Sequence, residues 1–239
     1  MNNGMITPEF ILLCGIQIAT MGFSLITFIH SFKRYLHIDP TEVILRKSVK
    51  YLAFLFLTII FAGIFSMTVN LFYIATGDGV IAGYFYGMVT TTTLVNVFCA
   101  WQFVTYLIHP ERRNTKYIIA LFCTVGMVLV WFSPPTITTW IYSPNIGKES
   151  IYIYIYVLII FIFVYGIYAF DFLKKSIKSP EKKEKYRFLC MGASALFSLL
   201  MFPMGFLGII YSWIVVLVST ILLYLGYNFP KFFQRVLKV

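Results

Sequence analysis

The sequence predicts an all-α, polytopic bundle of seven membrane-spanning helices, with the N-terminus outside and the C-terminus in the cytoplasm. Three observations predict it. Of 239 residues, 60% are hydrophobic and only 12% are charged, against about 25% in ordinary soluble domains, so there is too little charge to clothe a water-facing surface. The apolar residues gather into runs long enough to cross roughly 30 Å of hydrocarbon, and the mean hydropathy is +0.85. Finally, 19 Lys and Arg stand against 9 Asp and Glu, and the basic residues fall on alternate connections between the runs.

The runs cover about 9–32, 51–76, 81–108, 117–134, 151–173, 188–207 and 210–229. No Lys or Arg precedes the first, while Lys33 and Arg34 follow it directly. It therefore reads as a first span entering from outside and not as a cleaved signal peptide. A short 77–80 turn joins the second and third runs, and 109–116 joins the third and fourth. The outer connection 133–150 holds the breakers Pro134, Pro135, Pro144 and Gly147. The fifth run opens on alternating Ile and Tyr from Ile151 to Tyr156, which is strand-like by period. Because the run continues to Lys174, length decides for helix, with the tyrosines as a belt at the outer interface. A tight 208–209 turn separates the last two runs, and 230–239 is a short cytoplasmic tail. No connection has room for a water-soluble domain, and Thr90 to Thr93 is too short to count as low complexity.

The charges orient this frame. Eighteen of the 19 basic residues fall on 33–50, 109–116, 174–187 and 230–239, and only Lys148 falls on the opposite side. Such a separation follows the positive-inside rule, and an even number of spans would break it. The net charge of +10 is thus explained by topology, without nucleic acid. One connection exceeds what orientation needs. Lys174, Lys175, Lys178, Lys182, Lys183, Lys185 and Arg187, interspersed with Glu181 and Glu184, suit anionic lipid headgroups or an acidic cytoplasmic partner.

Charged groups inside a bilayer usually mark relays or binding sites, and this interior has almost none. Eight of the nine acids lie in loops or at helix ends; Asp171 sits at the cytoplasmic end of the fifth run and reads as an interfacial carboxylate near Lys174 and Lys175. His30, His37 and His109 are at cytoplasmic edges. Cys14, Cys99, Cys123 and Cys190 all lie in apolar stretches without C-x-x-C spacing, as buried thiols rather than a disulfide framework or zinc site. The expectation is no catalytic centre, no metal and no cofactor.

What remains is polar and neutral. Ser66 and Asn70 share a face of the second helix, Thr92, Asn96 and Cys99 share one on the third, and Gln17 and Gln102 lie inside the first and third. Such groups either tie helices together or direct a ligand in a cavity; Gln17, Ser66, Asn70, Thr92, Asn96 and Gln102 are the ligand-binding candidates. Pro203, with Gly205 and Gly208, weakens the end of the sixth helix and reads as a structural kink or as a hinge.

Seven helices with this orientation and short loops resemble microbial rhodopsins and the seven-helix sensor regions that precede histidine kinases in bacteria and archaea. Tyr84-x5-Thr90-Thr91, Phe202-Pro203 and Val218-Ser219-Thr220-Ile221 are similar to rhodopsin helix features. Ile221, however, stands where the retinal lysine would be, and a carboxylate counter-ion is also missing, which argues against covalent retinal. The run from Leu223 to Pro230 resembles the exit of the kinase-linked sensor regions. A kinase would continue beyond it, so the resemblance implies a solitary sensor acting through a separate protein, or a fragment. Receptor signatures such as D-R-Y and N-P-x-x-Y, and the His and Asp arrays of membrane hydrolases, have no counterpart.

The functional expectation is a membrane sensor or receptor-like protein without enzymatic activity. It would detect a small apolar or lipid ligand and signal to a cytoplasmic protein; self-association stays open. A small-solute transporter is the main alternative, although transporters usually show paired repeats and broken helices at the midplane, and a structural subunit of a membrane complex is the third.

Overall fold

The computed structural model describes residues 7–133 and 151–237, the side chains of Arg113 and Phe206 apart. Every element in those residues is helical: α1 Pro8–His37, α2 Val43–Thr76, α3 Gly79–Ile108, a 3-10 segment Pro110–Thr115, α4 Lys116–Phe132, α5 Ile151–Lys178, α6 Lys182–Leu207, α7 Ile209–Asn228 and α8 Lys231–Val236. Six of these, α1 to α3 and α5 to α7, are long and apolar enough to cross a membrane. With 17 residues, α4 reaches about 26 Å at 1.5 Å per residue, a little less than the hydrocarbon core. The outer breakers Pro134, Pro135, Pro144 and Gly147, and also Lys148, lie outside the described residues.

Local chemistry starts and stops these helices. The Thr7 side chain accepts from the Phe10 N–H and Pro8 occupies the first turn of α1. Asp78 Oδ1 accepts from the Val80 and Ile81 N–H groups, both at 3.0 Å, to start α3. Gly77 ends α2 at φ +69°, where a side chain would be strained. Between α1 and α2, Asp39 Oδ1 accepts from the Thr41 N–H and hydroxyl at 2.8 and 2.7 Å, and these bonds hold its carboxyl below the usual range.

Two connections differ from expectation. The segments 33–50 and 174–187 are mostly helix, since α1 runs to His37, α2 starts at Val43, α5 runs to Lys178 and α6 starts at Lys182. Hydropathy marks where a chain leaves the lipid, but Lys, Arg and Glu are good helix formers, and the backbone ladder continues into water.

The bundle is a ring in which α1 packs on α2, α2 on α3, α3 on α5, α5 on α6, α6 on α7 and α7 back on α1, with α4 outside against α3 and α5. Within this ring α1 inverts the usual amphipathicity over residues 17–31. On α1 the buried face is Gln17, Thr20, Ser24, Thr27 and Ser31, while Ile18, Leu25, Ile26 and Ile29 point outward. In water that arrangement would be unstable; in lipid it presents hydrocarbon outside, while Gln17 reaches Ser66 on α2 and the Thr20 and Thr27 hydroxyls donate back to the Ile16 and Phe23 carbonyls of α1. Close approaches complete the packing: a Cβ at Gly226 would lie 2.8 Å from the Arg187 carbonyl oxygen, so α6 and α7 meet backbone to backbone.

The half of the bundle nearest the α5–α6 connection is closed by aromatic rings. Phe103 on α3 lies 6.2 Å from both Tyr168 and Phe172 and 6.0 Å from Tyr227, and Phe172 lies 5.9 Å from Phe188. Four helices therefore share one plug, with the edge and offset contacts that aromatic rings favour. At its rim, Asp171 Oδ2 lies 3.1 Å from His109 Nε2. The carboxylate thus pairs with the end of α3 rather than with Lys174 and Lys175, whose ammonium groups sit over the Phe170 and Phe188 rings.

Candidate ligand cavity

Above the aromatic plug, α2, α3, α5, α6 and α7 surround a cavity of about 520 Å³, within the range of small-molecule sites. Its outer end, the one away from the plug, is formed by the starts of α5 and α7, at Ile151, Ile155 and Ile209, and its inner end, next to the plug, by Tyr168, Ser194, Ser219 and Leu223. The antiparallel contacts between α5 and α6 set that depth. Phe161 faces Phe202 at 4.9 Å and Gly192 abuts Leu173, so Tyr168 is level with Ser194. No Asp, Glu, Lys, Arg or His is among the described lining residues. A charged ligand would be stripped of water there without a partner, a cost of several kcal/mol.

The inner wall carries three hydrogen-bonding groups of side chains. Asn96 Nδ2 donates to the Thr58 hydroxyl at 2.8 Å and to the Leu55 carbonyl at 3.0 Å, and its Oδ1 accepts from the Tyr165 hydroxyl. This clasp joins α2, α3 and α5. Between α6 and α7, the Ser194 hydroxyl donates to the Ser219 carbonyl at 2.8 Å, the Ser219 hydroxyl returns a bond to the Ser194 carbonyl at 2.9 Å, and Ser198 Oγ lies 2.8 Å from Ser219 Oγ. Tyr168 is the third. It is 2% exposed and its hydroxyl has no hydrogen-bond partner among the described residues. An orphaned buried donor costs about 1–3 kcal/mol, a cost that a bound acceptor would remove.

The structure sorts the predicted binding residues. Ser66, Thr92 and Asn96 line the cavity. Thr92 donates to the Val89 carbonyl of its own helix at 2.8 Å, and Asn96 is committed to the clasp. Gln17 stands behind the wall, donating from Nε2 to Ser66 Oγ at 2.9 Å. Asn70 and Gln102 are buried but are not among the cavity's lining residues; Asn70 Nδ2 and both Gln102 amide atoms find no partner among the described residues.

Sequence reasoning missed Tyr168, Tyr165, Thr58, Ser194 and Ser198. The Ser194 to Ser198 spacing places two hydroxyls on one helical face, a signal present in the sequence, but nothing local shows which tyrosines turn inward. The supposed interface belt divides in the same way. Tyr152 is exposed, Tyr154 lines the cavity, and the Tyr156 hydroxyl donates to the Phe122 carbonyl on α4.

At the proposed hinge, α6 continues through Pro203 to Leu207. Ser212 Oγ donates to the Met201 carbonyl at 2.9 Å, bracing the turn before the proline against α7. Gly205 lines the cavity, and Gly208, at φ +143°, makes the reversal into α7.

At the α5–α6 connection Lys174, Lys175, Lys178, Lys182, Lys183 and Lys185 are exposed. Arg187 differs from them. Its guanidinium donates to the Gly226 and Tyr227 carbonyls at 3.3 and 3.1 Å, capping the end of α7 where the helix dipole favours a cation. The four cysteines are free, Cys99 and Cys123 buried and Cys14 and Cys190 half-buried.

Fold and cavity together define an all-helical, multi-pass membrane protein with an uncharged chamber inside its bundle. No family model and no curated protein matches the chain.

Proposed function

We propose that the protein is a receptor-like sensor of the cell membrane that holds a small, largely apolar or lipid ligand in its bundle and has no enzymatic activity of its own. The observation that carries this reading is the uncharged cavity of about 520 Å³ bounded by five helices. In this reading α4 is the seventh span, the N-terminus is outside and the C-terminus is cytoplasmic, as the distribution of basic residues favours. Ligand occupancy alters the packing of α6 against α5 and α7, with Pro203, Gly205 and Gly208 as the flexible end. The change is read at the exposed lysines of the α5–α6 connection, or at α8, by a cytoplasmic protein.

Native mass spectrometry of the protein extracted in mild detergent tests the first step. One bound neutral lipid-sized mass per chain, lost when Ala62→Phe narrows the chamber, is the expected result. A chain that emerges empty and takes up nothing from a total lipid extract sinks the reading.

A further inference from the structure

The chemistry of the cavity narrows its ligand, an inference that rests on the sensor reading above. Its inner end offers one donor and several acceptors. Tyr168 supplies an O–H that nothing else in the described structure uses. Ser194 and Ser219 have spent their hydroxyl protons on each other's carbonyl oxygens, which leaves Oγ lone pairs as acceptors at the same depth. A ligand group that matches both must accept from the tyrosine and donate to a serine oxygen. A hydroxyl does both; an ester or ether only accepts, and a carboxylate also brings a charge that no lining residue balances.

The shape adds a second condition. From Ile151 to Tyr168 the cavity follows α5 for about 25 Å at 1.5 Å per residue, whereas a sphere of about 520 Å³ would be only about 10 Å across. The chamber is an elongated slot in which the Tyr168 hydroxyl and the serine oxygens meet at the inner end, while Ser66, Tyr86, Thr90, Tyr154 and Ser212 line the outer half beside the isoleucines.

We infer that the bundle binds a neutral, elongated lipid alcohol, with its hydroxyl held between Tyr168 and the Ser194–Ser219 pair and its hydrocarbon chain running toward the outer ends of α5 and α7. The tyrosine contributes selectivity for the hydroxyl, and the slot contributes affinity for the chain.

The probes are 1-hexadecanol, n-hexadecane and palmitate, titrated into the protein in lipid nanodiscs against radiolabelled 1-hexadecanol. Wild type is expected to prefer hexadecanol to hexadecane by about tenfold, as one hydrogen bond implies, and to bind palmitate least. Tyr168→Phe keeps the ring that packs on Phe103 and Phe172, so it is expected to retain hexadecane binding unchanged and to lose the preference for the alcohol; Ser194→Ala is expected to reduce it. Equal binding of alcohol and alkane by wild type, a preference that survives Tyr168→Phe, or tightest binding of palmitate would each overturn the inference while leaving the cavity a ligand site. Failure of all three probes to bind, together with an empty native mass spectrum, would instead remove the sensor reading beneath it.

Discussion

The Tyr165 hydroxyl donates to Asn96 Oδ1 across the α3–α5 interface, while the same asparagine's amide donates to Thr58 and Leu55 on α2. An asparagine engaged at both ends has little left for a ligand. Asn96→Leu should therefore lower stability by about 2 kcal/mol, three bonds at about 0.6 kcal/mol each, and Tyr165→Phe by about a third of that. Unfolding in mixed micelles measures both. A stable Asn96→Leu chain that had lost only its ligand response would return the residue to the binding site.

Arg187 and its neighbouring lysines should separate cleanly. Arg187→Ala leaves the Gly226 and Tyr227 carbonyls without their cap and should cost about 1–3 kcal/mol. The triple alanine variant of Lys182, Lys183 and Lys185 should fold with wild-type stability and weaken only binding to anionic vesicles or to an acidic partner. If vesicle binding is unchanged in the triple variant, the loop is an orientation signal alone.

Gly226→Ala tests the backbone contact between α6 and α7. Its Cβ would stand 2.8 Å from the Arg187 carbonyl oxygen and 3.0 Å from the Met191 nitrogen, so the helices must move apart, at about 1–3 kcal/mol. Gly15→Ala, with nothing within 4 Å of the added carbon, is the control and should hold or slightly raise the thermal midpoint, because alanine favours the helix.

The role of α4 has a topological readout. In a chain whose four cysteines are replaced by alanine, Thr76→Cys should react with a membrane-impermeant thiol reagent in intact cells, and Lys178→Cys only after permeabilisation. An α4 that did not cross would place both positions on the same side, and both would label alike.

Composition and hydropathy determined the class of this protein by themselves. Lipid solvates only apolar side chains and leaves backbone groups to bond internally, so long uncharged runs have almost no alternative to spanning helices. The extent of the helices was less legible. Residues 33–37, 43–50, 174–178 and 182–187 carry the charge of loops, yet they remain helical, because leaving the bilayer does not end a backbone ladder. Which polar residues share the chamber was decided by tertiary structure alone. Asn70 and Asn96 look equivalent in sequence, but only Asn96 meets a partner helix's hydroxyl and lines the cavity. Tyr165 and Tyr168 lie on one stretch of α5, yet one hydroxyl is bonded and the other has no partner among the described residues. A helix's own period places residues on a face, but the rotation of each helix against its neighbours sets what that face meets, and that rotation is a property of the packed ring.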